Sequence, residues 1–191
     1  DRCGRLVRIG RSGSGNPVHP VRSPSVRSMS VIHARPSMHD ASAIYDMFSS
    51  PKVYEGTLQL PYPSREQWRK RISETDGSYY LVAVSGEHVI GMFSIDTFPN
   101  KPRRRHAGLI GISVSEAWQG KGVGKALMQA GVDLADKWIN LTRLELEVYA
   151  DNEAAIRLYE QFGFEREGVL RQHAFRDGRY VDSIMMARLR S

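Results

Sequence analysis

The stretch that decides the fold is Trp118-Gln119-Gly120-Lys121-Gly122-Val123-Gly124-Lys125-Ala126. It lies between an apolar, β-rich run and a segment of helical periodicity. Glycines let a backbone approach an anion closely and supply positive φ where a turn demands it. The free amides and positive dipole end of the following helix favour a phosphate, and Lys121 and Lys125 add positive charge. Three glycines also make a plain flexible turn, so the ligand has to be read from the spacing around them.

That spacing excludes a nucleotide-hydrolysing P-loop. Gln119 stands where such a loop has its first glycine, and Ala126 replaces its magnesium-binding hydroxyl. Glu145, about 20 residues further on, keeps a dinucleotide-binding reading open. Against it, Ser115–Trp118 separates the strand from the first glycine, and an antiparallel hairpin precedes that strand.

Outward from the glycines, the chain of 191 residues has 41% hydrophobic and 25% charged residues, the balance of a soluble globular protein. No apolar run approaches the ~18 residues of a membrane span. The single cysteine, Cys3, excludes an intramolecular disulfide framework and fits a cytoplasmic protein. The net charge of +6 is uneven: residues 1–28 carry six arginines and one acid, leaving 21 basic and 20 acidic side chains elsewhere. The folded part is therefore nearly neutral, which speaks against nucleic acid as a partner. Residues 1–28 hold 12 Gly, Ser or Pro without apolar periodicity. They read as a disordered or vector-derived basic extension, with Met29-Ser30 as a natural start; their composition also fits a transit peptide.

Residues 29–191 read as one domain. Ser30–Arg35 is a short strand, Ser37 caps a helix to Phe48, and Pro51–Pro63 is a structured loop. Ser64 and Gln67 have capping-box spacing and open a second helix. Tyr79–Ser85 and His88–Asp96 form a hairpin across Gly86-Glu87; a basic loop, Pro99–Arg105, and the strand His106–Val114 follow. A helix runs from Gly122 to Trp138, burying Val123, Leu127, Ala130, Leu134 and Trp138. Then come a strand Arg143–Tyr149, a helix Asn152–Phe162, and strands Phe164–Phe175 and Tyr180–Leu189 turned by Gly178. The fold class is α/β, with a mixed, mostly antiparallel central sheet and flanking helices.

Two blocks in this order resemble the Gcn5-related N-acetyltransferase (GNAT) superfamily. Its Gln/Arg-x-x-Gly-x-Gly/Ala signature appears as Gln119-Gly120-Lys121-Gly122-Val123-Gly124. Its second block appears as Asn152-Glu153-Ala154-Ala155-Ile156-Arg157-Leu158-Tyr159-Glu160-Gln161-Phe162-Gly163-Phe164. The resemblance implies the acyl-CoA N-acyltransferase fold, with acetyl-CoA wedged between two splayed strands. Ile112, Ser113 and Val114 would then bond the pantetheine arm, and the amides of Gln119, Gly120, Lys121, Gly122, Val123, Gly124 and Lys125 the pyrophosphate. Asn152 and Ala155 would lie near pantetheine. In family members a tyrosine at the place of Tyr159 protonates the departing thiolate; Tyr159 could also be a packing aromatic.

The glutamates of Arg143-Leu144-Glu145-Leu146-Glu147-Val148 share one strand face. Glu147, twelve residues before Tyr159, matches the proposed base of ribosomal-protein alanine acetyltransferases, which this block resembles; a structural or substrate-anchoring carboxylate is the alternative. The loop after the first helix and Tyr180-Val181-Asp182 are similar to bacterial L-amino-acid N-acetyltransferases. That likeness implies a small-molecule amine acceptor, with Tyr54, Thr57, Leu58 and Tyr149 on its wall. Peptide N-termini, polyamines and aminoglycosides stay open as acceptors, a nicotinamide oxidoreductase and a non-catalytic CoA-binding sensor as other classes. Family members are often dimers, so a homodimer is an open expectation. His106 and the Lys101–Arg105 run read as surface features. Histidines 33, 39, 88 and 173 show no ligand spacing, so no metal is expected.

Overall fold

The computed structural model describes residues 31–34, 36–37, 40–73 and 76–190. The extension 1–28, Met29 and both ends of the expected first strand lie outside the described residues. Seven strands form a single sheet in the order β1-β2-β3-β4-β5-β7-β6. They are β1 (Val31–Ala34), β2 (Ser78–Ser85), β3 (His88–Thr97), β4 (Ala107–Val114), β5 (Arg143–Tyr149), β6 (Glu165–Arg176) and β7 (Arg179–Leu189). Every adjacent pair is antiparallel except β4 with β5. A parallel pair needs a crossover, and the helix α4 (Val123–Leu134) supplies it.

Helices cover both faces. On one lie α1 (Asp40–Phe48), α2 (Pro51–Tyr54) and α3 (Arg65–Ser73), packed on Tyr80, Val82, Val89 and Met92. On the other, α4 and α5 (Glu153–Gln161) pack on Leu81, Ala83, Phe93 and Ile95. Alternate residues of β2 thus feed two cores, as a pleat buried on both faces requires. The Ser64 cap forms, its Oγ accepting the Gln67 amide at 3.4 Å. Ser37 instead donates amide and hydroxyl to the Asp40 carboxylate, at 2.6 and 2.8 Å. The β6–β7 turn places Asp177 and Gly178 at φ 48° and 75°, the backbone a tight two-residue hairpin needs.

Three local readings change. The expected loop after Ser50 opens with the short helix α2, its proline at the first position. The basic loop contains a 3₁₀ turn, Pro102–Arg104. The long helix stays α-helical only to Leu134 and widens into a π turn over Ala135–Ile139. The extra residue in that turn moves Ile139 on to the core and carries Trp138 out to 82% exposure. Trp138 is therefore not part of the buried stripe. Val123, Leu127, Met128, Val132 and Ala135 are.

Gly131 sets the seat of α4. A Cβ there would fall 2.2 Å from Cε1 and Cζ of Phe93, a fully buried ring on β3. Alanine in place of helical glycine ordinarily gains up to about 1 kcal/mol, but overpacking a rigid core costs about 1–3 kcal/mol. Gly131→Ala is accordingly expected to lower unfolding stability, read as a reduced urea midpoint with an unchanged slope.

Candidate active site

The site begins where two strands part. β4 and β5 pair only at Ala107–Arg143, Gly108–Leu144 and Leu109–Glu145. Past that point β4 remains on β3 as far as Val114, and β5 remains on β7 as far as Tyr149. The facing edges from Ile110 and Leu146 onward lose each other's hydrogen bonds, leaving donors and acceptors to be satisfied from between them. A cleft of about 550 Å³ opens along this fork, with Ile112, Ser113 and Val114 on its wall.

At the end of β4 the Gln119 side chain donates to the Val114 carbonyl at 3.1 Å, tying the glycine loop to the strand. Gly120 and Gly122 stand at φ 70° and 84°, and a Cβ on either would meet nothing within 4 Å. Their backbone conformation, not crowding, demands glycine there. Gly122 precedes α4 without any side-chain cap, and an uncapped helix N-terminus is a favourable seat for an anion. Gln119, Gly120 and Gly124 line the cleft. The Val123 side chain is buried in the core, leaving only its amide available. Lys121 and Lys125 lie outside the lining, Lys121 Nζ standing 5.6 Å from the Trp118 ring centre.

The opposite wall comes from β5 and α5. Asn152 Oδ1 accepts the Ala155 amide at 3.2 Å, so it caps α5 while lining the cleft with Ala155 and Leu158. Tyr159 is 6% exposed, 6.0 Å from Phe164 between ring centres, and also reaches the cleft. Burial pushes its phenol up to about 12, so it remains protonated through the neutral range.

The two glutamates of β5 separate. Glu145, 9% exposed at the base of the fork, accepts from Arg104 and from Arg143 Nε at 3.0 Å. Arg143 continues to Glu167 at 2.8 Å, a bond that holds the Glu167 carboxyl below the usual carboxylate range. Glu145 is thus consumed by structure, and so is Arg104 of the basic loop; none of Lys101–Arg105 reaches the cleft. Glu147, two residues on, does reach it.

Thr57 and Leu58 line the cleft. Tyr149 supports them from behind: its hydroxyl donates to the Thr57 carbonyl at 2.9 Å, and it borders a side cavity of about 50 Å³ rather than the main cleft. Tyr54 borders neither and leaves the acceptor wall. The cleft also gathers Lys52, Trp68, Arg71 and Ser94, none of which carried a sequence signal for this site. His173 and Ser183, on β6 and β7, join Glu147 at the side cavity. Among the described residues, no group of three or more His, Cys, Asp or Glu could hold a metal, and no helix is long and apolar enough to cross a membrane.

The sequence pattern of the acetyltransferase (GNAT) family matches residues 41–164. The chain belongs to that family. It is 40% identical over 151 residues to the L-amino acid N-acetyltransferase AaaT of Escherichia coli, covering 79% of this chain and 93% of that protein. It is 26% identical over 156 residues to a spermidine N(1)-acetyltransferase of Vibrio cholerae, covering 80% and 88%. A GNAT phosphinothricin acetyltransferase of Sinorhizobium meliloti, solved with acetyl-CoA, superposes with a TM-score of 0.73 at 25% identity, over 83% of this chain and 88% of that one. The protein is an N-acetyltransferase with the GNAT fold. The nicotinamide and non-catalytic readings fall with that assignment.

The Tyr159 environment is open to direct measurement. In an ultraviolet titration one phenolate should appear only near pH 12, and Tyr159→Phe should delete that late step. Because the folded value is raised, the stability it confers is present below the ordinary value of about 10 and is lost as pH climbs from there through the folded value. Loss from Tyr159→Phe of a phenolate that appears near 10, with the late step kept, would refute the burial.

Proposed function

We propose that this protein transfers the acetyl group of acetyl-CoA to the α-amine of a free L-amino acid. The observation that carries the cofactor assignment is the fork itself: an unsatisfied β4 edge running straight into an uncapped helix N-terminus. The first provides hydrogen bonds for an extended amide-bearing arm, the second a seat for its phosphates. Ile112, Ser113 and Val114 would hold the former and the Gln119–Lys125 amides the latter. Acetyl-CoA supplies an activated thioester whose acetyl carbon an unprotonated amine attacks.

The protein's residues then have proton work to do. Glu147, on the cleft wall, accepts a proton from the acceptor's ammonium, so that the nitrogen lone pair is free. Tyr159 keeps its proton until the carbon–sulfur bond breaks and donates it to the departing sulfur; the second proton that the nitrogen loses on becoming an amide then restores the phenol. A phenol raised to about 12 is a weak acid for a thiol of ordinary pKa near 8.5.

Charge on the walls favours an amino acid as acceptor. Lys52 is neutralised by Glu116 at 2.6 Å. Arg71, stacked 5.3 Å over Trp68, has no carboxylate partner among the described residues. A free amino acid brings the carboxylate that such a guanidinium binds in bidentate fashion. A polyamine would bring further positive charge instead. The 40% identity to AaaT supports the same choice.

Thiol release from acetyl-CoA, followed with L-phenylalanine, L-methionine, a peptide with a free N-terminus, spermidine and an aminoglycoside, tests the acceptor. Release with the amino acids, confirmed by product mass, is expected; release with spermidine alone would overturn the assignment. Arg71→Gln should raise KM for L-phenylalanine about 10- to 100-fold and leave 2-phenylethylamine, which lacks the carboxylate, unchanged.

A further inference from the structure

Behind Glu147 lies a polar chain that the transfer chemistry above does not use. Glu147 Oε2 stands 3.5 Å from His173 Nε2, and the ring's other nitrogen, Nδ1, stands 3.1 Å from Ser183 Oγ. Three adjacent strands, β5, β6 and β7, contribute one group each. Thr57, Leu58 and Tyr149 help to enclose them in the side cavity.

The placement depends on an irregularity of the sheet. Leu170 pairs with Ser183 and Ala174 with Val181, so three residues of β6 stand opposite Asp182 alone. Gln172 takes φ 50° within this bulge, and its amide donates to Asp182 Oδ1 at 2.7 Å. Bulges re-aim side chains beside active sites. Here the neighbouring ring, His173, meets Ser183 on one side and Glu147 on the other.

A Ser–His–Glu chain resembles the constellation of nucleophilic catalysis, but its polarity is reversed. The carboxylate faces the cleft, and the serine is 2% exposed at the far end of the ring, out of reach of an acetyl donor. The chain's working end is Glu147.

We propose that Ser183 and His173 position Glu147 for proton acceptance. The Ser183 hydroxyl donates to Nδ1, which keeps the ring proton on Nε2, and that N–H donates to Oε2. Oε1 is thereby turned to the cleft, where it takes the acceptor's proton: an N–H bond breaks, an O–H bond forms, and His173 keeps its own proton. The 3.5 Å contact tightens to a full hydrogen bond when the acceptor binds. His173 is a positioning residue, acting through Glu147; the inference rests on Glu147 being the group that meets the amine.

A double-mutant cycle on the full chain tests it, with L-phenylalanine as acceptor. His173→Phe should lower kcat about 10- to 100-fold with KM for acetyl-CoA unchanged. His173→Gln, whose amide nitrogen can take the place of Nε2, should recover most of that loss. In a Glu147→Gln background His173→Phe should cost nothing further, because its partner is gone. Ser183→Ala, a smaller deletion, should show the same pattern at smaller size. Undiminished kcat in His173→Phe, an equal loss in both backgrounds, or a fully active Ser183→Ala would each overturn the inference. Full turnover by Glu147→Gln alone would instead overturn the reading of Glu147 as base.

Discussion

Beyond Leu109 and Glu145 the two central strands stop sharing hydrogen bonds, and the site is arranged around that parting. Each arm is held from its outer side. β4 stays paired to β3 through Val114, and β5 stays paired to β7 through Tyr149. The fork is therefore a rigid feature of a continuous sheet rather than a frayed edge. Its inner edges carry polar groups that no strand satisfies, which is expensive unless something polar and extended occupies the space. The helix amides at the top of β4 continue that line of donors, so strand edge and helix end form one continuous polar surface.

The fork also sorts charge. Glu145 and Glu147 lie on the same face of β5, two residues apart, yet their surroundings assign them opposite tasks. Glu145 falls at the last paired position, buried, and is held by Arg104 and Arg143. An unpaired carboxylate there would carry a desolvation cost of several kcal/mol. Glu147 falls past the parting, where the missing neighbour strand gives it the cleft. The same opening accounts for Tyr159, a phenol buried enough to hold its proton but still in contact with the cleft.

Packing of α4 aligns these parts. Its close approach over Phe93 at Gly131 brings the glycine loop above the end of β4. At the far end the π turn closes with the Leu141 amide donating to the Ala135 carbonyl at 2.9 Å, and β5 follows, paired to β4 from Arg143. Strain at Gly120 and Gly122 is avoided by the absence of Cβ, not by the absence of neighbours.

Much of this was legible in the residues. Periodicity marks α4 and α5, continuous apolar, β-rich runs mark β2 and β3, and Gly86 and Gly178 mark the hairpins, because each signal depends on local sequence and backbone geometry. The two motif blocks bring together Gln119, Gly120, Gly124, Asn152 and Tyr159, all of which reach the cleft. Other features had no local signature. Trp138 leaves the helical stripe because a π turn forms beneath it. Tyr54 and Tyr149 look alike as wall aromatics, and only packing shows that neither borders the main cleft. Arg71 acquires meaning once Lys52 is seen to be neutralised by Glu116, a partner 64 residues away. His173 meets Glu147 through a bulge and two strand pairings. The sequence alone therefore determined most of the elements, their order and the glycine loop before α4, since these follow from interactions within a few residues. The tertiary structure decided which carboxylate reaches the cleft, which cleft cation has no carboxylate partner among the described residues and which histidine stands beside Glu147, since those depend on contacts between residues remote in the chain.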